Sequence, residues 1–352
     1  MKRVLIGLIK VLISCAILGY LFRQAWRDDS FSLLYSQPKD WGLLFGALSA
    51  ALFSLILCIL RWRLLVVALQ IPFSIRDAFR LGMLGYLFNF FTLGIVGGDV
   101  LKAIMIARDK PGRRLEAVAS VLIDRAIGLY ALFVLASLAM LNIDWSTLGE
   151  RNPDQLAAVR RICDVTTTAA IVGGVVIFVL LIPQITHSQA VHALTRLPAV
   201  GPLISKALMA LQLYQRRRGL LLATLLMSLG VHLLSSLSVF LVARGLPGDD
   251  PNLATHLVIV PIAMVASAIP LPGGLGAVEY ALDFLYRGVA TMNIGERQGF
   301  IIALAYRVIT MIIASIGLFY YLTGRREVRA MLQAAGSSEV DESNGTTELP
   351  VT

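Results

Sequence analysis

Charge is scarce in this chain: Asp, Glu, Lys and Arg make up 15% of its 352 residues, against 57% hydrophobic residues and a mean hydropathy of +0.77. Soluble domains carry roughly 25% charge, so an assembly of water-soluble domains is excluded and the chain is solvated by lipid. Cysteine is rarer still. Of the three, Cys15 and Cys58 lie in apolar runs and Cys163 stands alone, which makes neither a disulfide framework nor a zinc site. The four histidines lack metal-ligand spacing and no ATP-binding glycine loop is present, so no metal or other cofactor is expected. The net charge of +9 reflects 31 Lys and Arg against 22 Asp and Glu. In a membrane chain such an excess marks loops facing anionic lipid, and nucleic acid is not an expected partner.

Long apolar runs are what the chain has in plenty. At about 1.5 Å per residue, about 20 residues cross a ~30 Å hydrocarbon core. Six segments have the length to cross: 4 to 22, 41 to 60, 115 to 141, 165 to 183, 219 to 243 and 299 to 322. Two further apolar segments are interrupted. Residues 81 to 98 contain Gly82, Gly85, Asn89, Gly94, Gly97 and Gly98, and residues 254 to 293 contain Pro261, Pro270, Pro272, Gly273, Gly274 and Gly276. Glycine and proline at that density predict broken helices, so both segments read as re-entrant hairpins. The first run follows Lys2 and Arg3, but Lys10 interrupts it and no cleavage site follows, which makes it an anchor.

Basic residues set the expected orientation. With the N-terminus inside and each hairpin returning to its own side, the inner segments carry 19 Lys and Arg and the outer segments 9. The connection from 184 to 218 alone holds five bases and no acid. The expected fold is therefore all-α: a polytopic protein of the cell membrane with six crossings, two opposed re-entrant hairpins and both termini cytoplasmic. Residues 1 to 325 form one membrane domain, and 326 to 352 a polar tail of disordered composition. No repeat is legible as sequence identity, although hairpins entering from opposite faces fit an inverted duplication.

The remaining question is which charges lie at membrane depth, where each costs ~2.5 to 3.5 kcal/mol on insertion scales. Gly97-Gly98-Asp99 closes the first hairpin, with Lys102 following. Two readings stand for it: an amide-rich turn that binds an anion, or Asp99 capping the next helix while Lys102 snorkels to the interface. Asp124 and Arg125 sit about ten residues into the 115 to 141 span. Neighbours 100° apart on a helix pair poorly with each other, so each needs another partner, either a ligand or an ion pair such as Arg125 with Asp99 or Glu279. In Pro270-Leu271-Pro272-Gly273-Gly274-Leu275-Gly276-Ala277-Val278-Glu279, prolines end one helix and Glu279 falls on the first turn of the next. Asp283 follows one turn later on the same face. Arg307 is a further cation inside the last crossing, whereas His232, beside Ser235 and Ser236, reads as a hydrogen-bonded packing residue.

The ordered motifs Arg61-Trp62-Arg63-Leu64-Leu65, Asn89, Gly97-Gly98-Asp99, Asp124-Arg125-Ala126-Ile127-Gly128-Leu129 and Pro272 to Glu279 resemble the lysylphosphatidylglycerol synthase transmembrane family. The resemblance covers roughly residues 5 to 325. One departure is Leu93-Gly94-Ile95-Val96-Gly97-Gly98-Asp99, which lacks the proline that family often places before these glycines. The resemblance implies translocation of a phospholipid or lipid-linked precursor between leaflets. The aminoacyl transfer of two-domain members belongs to a separate soluble domain and is not carried over. Headgroup-binding candidates are Asn89, Gly97, Gly98, Asp99, Asp124, Arg125, Gly273, Gly274, Glu279, Asp283 and Arg307. Arg125 and Arg307 would hold phosphate, with the acids facing a cationic headgroup or carrying protons. No catalytic residue is assigned; the competing reading is an integral-membrane transferase on a lipid-linked substrate. Expected partners are the bilayer and its lipid, with a homo-oligomer or a separate lipid-modifying enzyme as further candidates.

Overall fold

A computed structural model of the chain describes residues 2–27, 38–91, 96–109, 112–143, 145, 153–182, 201–215, 217–247, 252–269, 271, 274–289 and 298–323. Every regular element among them is helical. In chain order they are α1 (Lys2–Arg27), α2 (Trp41–Ala68), α3 (Ile75–Phe91), α4 (Val96–Asp109), α5 (Arg114–Met140) and α6 (Pro153–Leu180). There follow α7 (Gly201–Tyr214), α8 (Arg218–Gly245), α9 (Leu253–Val265), a 3-10 turn (Ala266–Ala268), α10 (Ala277–Val289) and α11 (Gln298–Thr323). Among the described residues, five helices are long and apolar enough to cross a membrane: α2, α5, α6, α8 and α11. The expected first crossing falls in α1, whose described apolar stretch, Leu12–Arg23, is shorter than a span.

The antiparallel pair α2 and α8 forms the centre. Small residues on the facing surfaces, Ala47, Ala50, Ala51 and Ser54 on one helix and Ser228, Ser236 and Ser238 on the other, let the backbones approach. Hydroxyls then reach across: Ser54 Oγ donates to the Val231 carbonyl at 3.0 Å and Ser238 Oγ to the Ala47 carbonyl at 2.7 Å. At one end the Asp40 amide donates to the Gly245 carbonyl at 3.0 Å, while Arg61 meets Ser228 at the other. These contacts set the antiparallel direction.

The same order of elements occurs twice. Helices α2, α3, α4 and α5 have 28, 17, 14 and 27 residues; α8, α9, α10 and α11 have 28, 13, 13 and 26. Packing follows the same pattern: α3 lies on α11 and α9 on α5, so the first short helix of each half is held by the last long helix of the other, while α4 and α10 pack on the long helix of their own half. Helix α7 docks on α5 outside this scheme, and its buried Tyr214 donates to the Leu65 carbonyl at 2.9 Å. Burial pushes that phenol well above the ordinary tyrosine range, so it remains a neutral donor.

Several expected boundaries are corrected. The second crossing does not stop at residue 60 but continues to Ala68, because Arg61 is paired inside the protein and the apolar pattern resumes at Leu64. The fourth begins at Pro153, a residue suited to a first helical position, rather than at 165. The connection 184 to 218 contains helix α7. Gly82 and Gly85 do not break α3. A Cβ at Gly82 would lie 2.6 Å from Ile59, and one at Gly85 would lie 2.8 Å from Lys102 Cε, so both glycines permit close packing. Pro261 likewise lies inside α9. Gly94, Pro270, Pro272, Gly273 and the tail from 324 onward lie outside the described residues.

Candidate functional site

The buried charges are held in pairs, built from neighbouring helices. Arg61, near the end of α2, donates through Nε to Asp124 Oδ1 on α5 at 2.8 Å and through Nη1 to Ser228 Oγ on α8 at 2.7 Å. Both ionic side chains are almost fully buried. Gly128, one turn along α5 from Asp124, makes room for the guanidinium: a Cβ there would lie 3.3 Å from Arg61 Nη1. The arginine motif of α2 and the Asp124 to Leu129 motif of α5 are thus two halves of one structural unit. His232 completes its edge by donating Nε2–H to the Gly128 carbonyl at 2.8 Å, the packing role expected for it.

Asp99 lies on the first turn of α4, with Gly97 and Gly98 inside that helix. The Gly98 amide donates to Asn89 Oδ1 at 3.1 Å, and a Cβ on Gly98 would collide with the Gly85 carbonyl. Only glycine allows α3 and α4 to touch there. Asp99 Oδ2 accepts from Arg125 Nε of α5 in a short ion pair, and Lys102 Nζ lies 3.6 Å from Asp99 Oδ1. Lys102 also stands 5.0 Å from the centre of the buried Trp62 ring, so its stem runs between protein groups rather than out to an interface.

The second half reproduces this arrangement. Gly274 and Gly276 have φ of 64° and 87°, a conformation that β-carbon crowding denies to most residues. The Gly276 amide donates to Glu279 Oε2 at 2.8 Å, closing the first turn of α10 as one half of a capping box. Glu279 Oε1 accepts from Arg307 Nε of α11 at 2.6 Å, and the carboxylate side chain is 2% exposed. In each half a carboxylate on the first turn of the second short helix pairs with an arginine of the long helix that follows.

The two pairs meet at a partly open cavity of about 290 Å³. Arg125, Lys102, Arg307 and Glu279 line it, with Asn89 at one edge. Tyr86, Tyr306, Ser54, Ser235 and Thr310 add hydroxyls, while Leu55, Ile59, Val231, Met264 and Val278 form an apolar wall. Arg125 holds Asp99 through Nε, lines the cavity and keeps 42% of its side chain accessible. Arg307 also lies 6.0 Å from the ring centre of Phe90, at the end of α3.

Of the candidates read from the sequence, Asn89, Arg125, Glu279 and Arg307 line this cavity and Asp99 supports it from behind. Gly98 lets α3 and α4 touch, and Gly274 takes a positive φ ahead of α10. Asp124 is turned away toward Arg61, and Asp283 toward Arg287 at 2.7 Å on its own helix, so neither joins the lining. Gly97 is the second residue of α4, and Gly273 is outside the described residues. Sequence reading placed Arg61 in a loop and left Lys102 as an interfacial residue. The apolar run continuing through Leu64-Leu65-Val66-Val67-Ala68 was the signal that α2 extends past its arginines.

An all-helical polytopic architecture with a charged internal cavity defines an integral membrane protein. The family model of the lysylphosphatidylglycerol synthase TM region matches residues 7–317, most of the chain, and the protein belongs to that family. No curated protein matches it.

Proposed function

We propose that the protein binds the headgroup of a phospholipid or lipid-linked precursor in this cavity and passes it between leaflets. The observation that carries the reading is the convergence of two carboxylate–arginine pairs, one from each structural repeat, on a single amphipathic cavity. Arginine receives phosphate oxygens through two parallel N–H donors, and the hydroxyls suit the rest of a polar headgroup. About 290 Å³ is near the lower end of ligand pockets, so the headgroup enters while the hydrocarbon chains stay in lipid.

The short helices support a re-entrant arrangement. At about 1.5 Å per residue, α3, α4, α9 and α10 fall short of a ~30 Å core. Two antiparallel repeats would admit them from opposite faces, with both termini cytoplasmic. Without a ligand, Asp99 and Glu279 neutralise Arg125 and Arg307, which would otherwise be costly at membrane depth. A phosphate replaces the carboxylates as their partner, so binding loosens one hairpin turn from the long helix beside it.

A leaflet-resolved translocation assay in proteoliposomes tests the reading. Each charge-assisted contact is worth about 1.5–3 kcal/mol, so Arg125→Ala and Glu279→Gln are each expected to slow transport by about tenfold or more. Full activity in both variants would overturn the assignment of the site. A changed lipid mass would favour transfer chemistry instead.

A further inference from the structure

We infer that the cavity selects a lipid whose phosphate headgroup is net negative, and disfavours one carrying a compensating amine. This rests on the translocation reading above and names its substrate class. Three cations, Lys102, Arg125 and Arg307, and one carboxylate, Glu279, line the cavity. Asp99, immediately behind, supplies a second carboxylate, so among the described residues these five side chains carry one positive charge in excess.

The acids expected to meet a cationic headgroup are otherwise engaged. Asp124 is buried against Arg61, Asp99 faces both Arg125 and Lys102, and both Glu279 oxygens accept hydrogen bonds, from Arg307 and the Gly276 amide. Asp283 binds Arg287 away from the cavity. Among the described residues, an ammonium group entering would meet Arg125 with each lining or supporting carboxylate already engaged. A phosphate monoanion brings the cluster to neutrality, which in a low-dielectric site is the favoured state. A free phosphate ester presents the same anion as a lipid headgroup, and the lipid source is favoured by the apolar wall of Leu55, Ile59 and Met264 beside the cations.

Proteoliposomes of the intact protein, offered fluorescent phosphatidylglycerol, phosphatidylcholine or lysyl-phosphatidylglycerol, give the test. The anionic lipid is expected to move about tenfold or more faster than the lysyl ester, with phosphatidylcholine between, as one unpaired charge contact predicts. Lys102→Met, which keeps an apolar stem against Trp62, is expected to narrow that ratio. Equal or faster movement of the lysyl ester by the wild-type protein overturns the inference while leaving translocation intact.

A second measurement needs no movement. Cys58 lines the cavity, Cys15 is exposed on α1 and Cys163 is buried. In a Cys15→Ser, Cys163→Ser background, sn-glycerol 1-phosphate is expected to slow alkylation of Cys58 and free lysine is not. Protection without lipid movement would support the anion site and sink translocation; neither protection nor movement would sink both. Uptake of glycerol phosphate into the vesicles would overturn the lipid source.

Discussion

Arg61 and Asp124 illustrate how single charges are kept inside this protein. Their ion pair is nearly dry, and removing one partner strands the other; the cost of such a break is about 3–5 kcal/mol. Arg61→Ala and Asp124→Leu are each expected to lower the melting temperature in detergent strongly, and the double substitution Arg61→Met with Asp124→Leu to recover much of the loss. Single variants that melt like the wild type would contradict a buried pair. At this scale the sequence was informative where a charge interrupts an unbroken apolar run, as at Arg125 and Arg307. It was misleading at Arg61, because an arginine following 20 apolar residues also looks like the end of a span, and only the contact with Asp124 separates the two cases. Lys102 was obscure for a related reason: snorkelling and cavity lining use the same long side chain, and the choice depends on whether Trp62 and Asp99 stand beside it.

At the scale of elements, glycine carries the geometry. Gly98 touches Gly85 across the α3–α4 contact, and any side chain there collides with backbone that cannot move aside. Gly98→Val is expected to splay the two helices, pull Asp99 from Arg125, and abolish translocation while the long helices still insert. Wild-type transport by this variant would show that the contact is dispensable. Gly276→Ala tests the other half more gently, since a φ of 87° costs an L-residue about 1–2 kcal/mol. A modest fall in melting temperature is the expected result, and none would argue against the turn. Long helices were legible from hydropathy alone, and α5, α8 and α11 lie within two residues of their expected ends. The short ones were not, because Gly82, Gly85 and Pro261 read locally as breakers, whereas packing against Ile59, Lys102 and neighbouring helices makes them tolerable inside helices.

Eight of the described helices follow one order of elements twice, about the antiparallel pair α2 and α8. Cysteines at Ala47 and Ser238, whose backbone and side chain are in contact, are expected to form an intrachain disulfide in a background lacking native cysteine. Ala47→Cys combined with Ser228→Cys is expected to stay reduced, because Ser228 meets the opposite end of α2 at Arg61. The reverse outcome in gel mobility after cleavage between α2 and α8 would contradict the antiparallel register. No repeat shows as identity because the two halves conserve element lengths and the position of a carboxylate–arginine pair, while the residues around them differ: Asp124 precedes one arginine and Tyr306 the other.

By itself the sequence determined that lipid is the solvent, that the fold is all-α, and which charges are expensive to bury, since all three follow from hydropathy and residue type. The tertiary structure decided how those charges are partnered. Pairing depends on distances between helices remote in the chain: Arg61 and Asp124, Asp99 and Arg125, Glu279 and Arg307 lie 63, 26 and 28 positions apart. Once paired, these acids are engaged with arginines, and Arg125 keeps an accessible side chain beside the cavity where the proposed headgroup would bind.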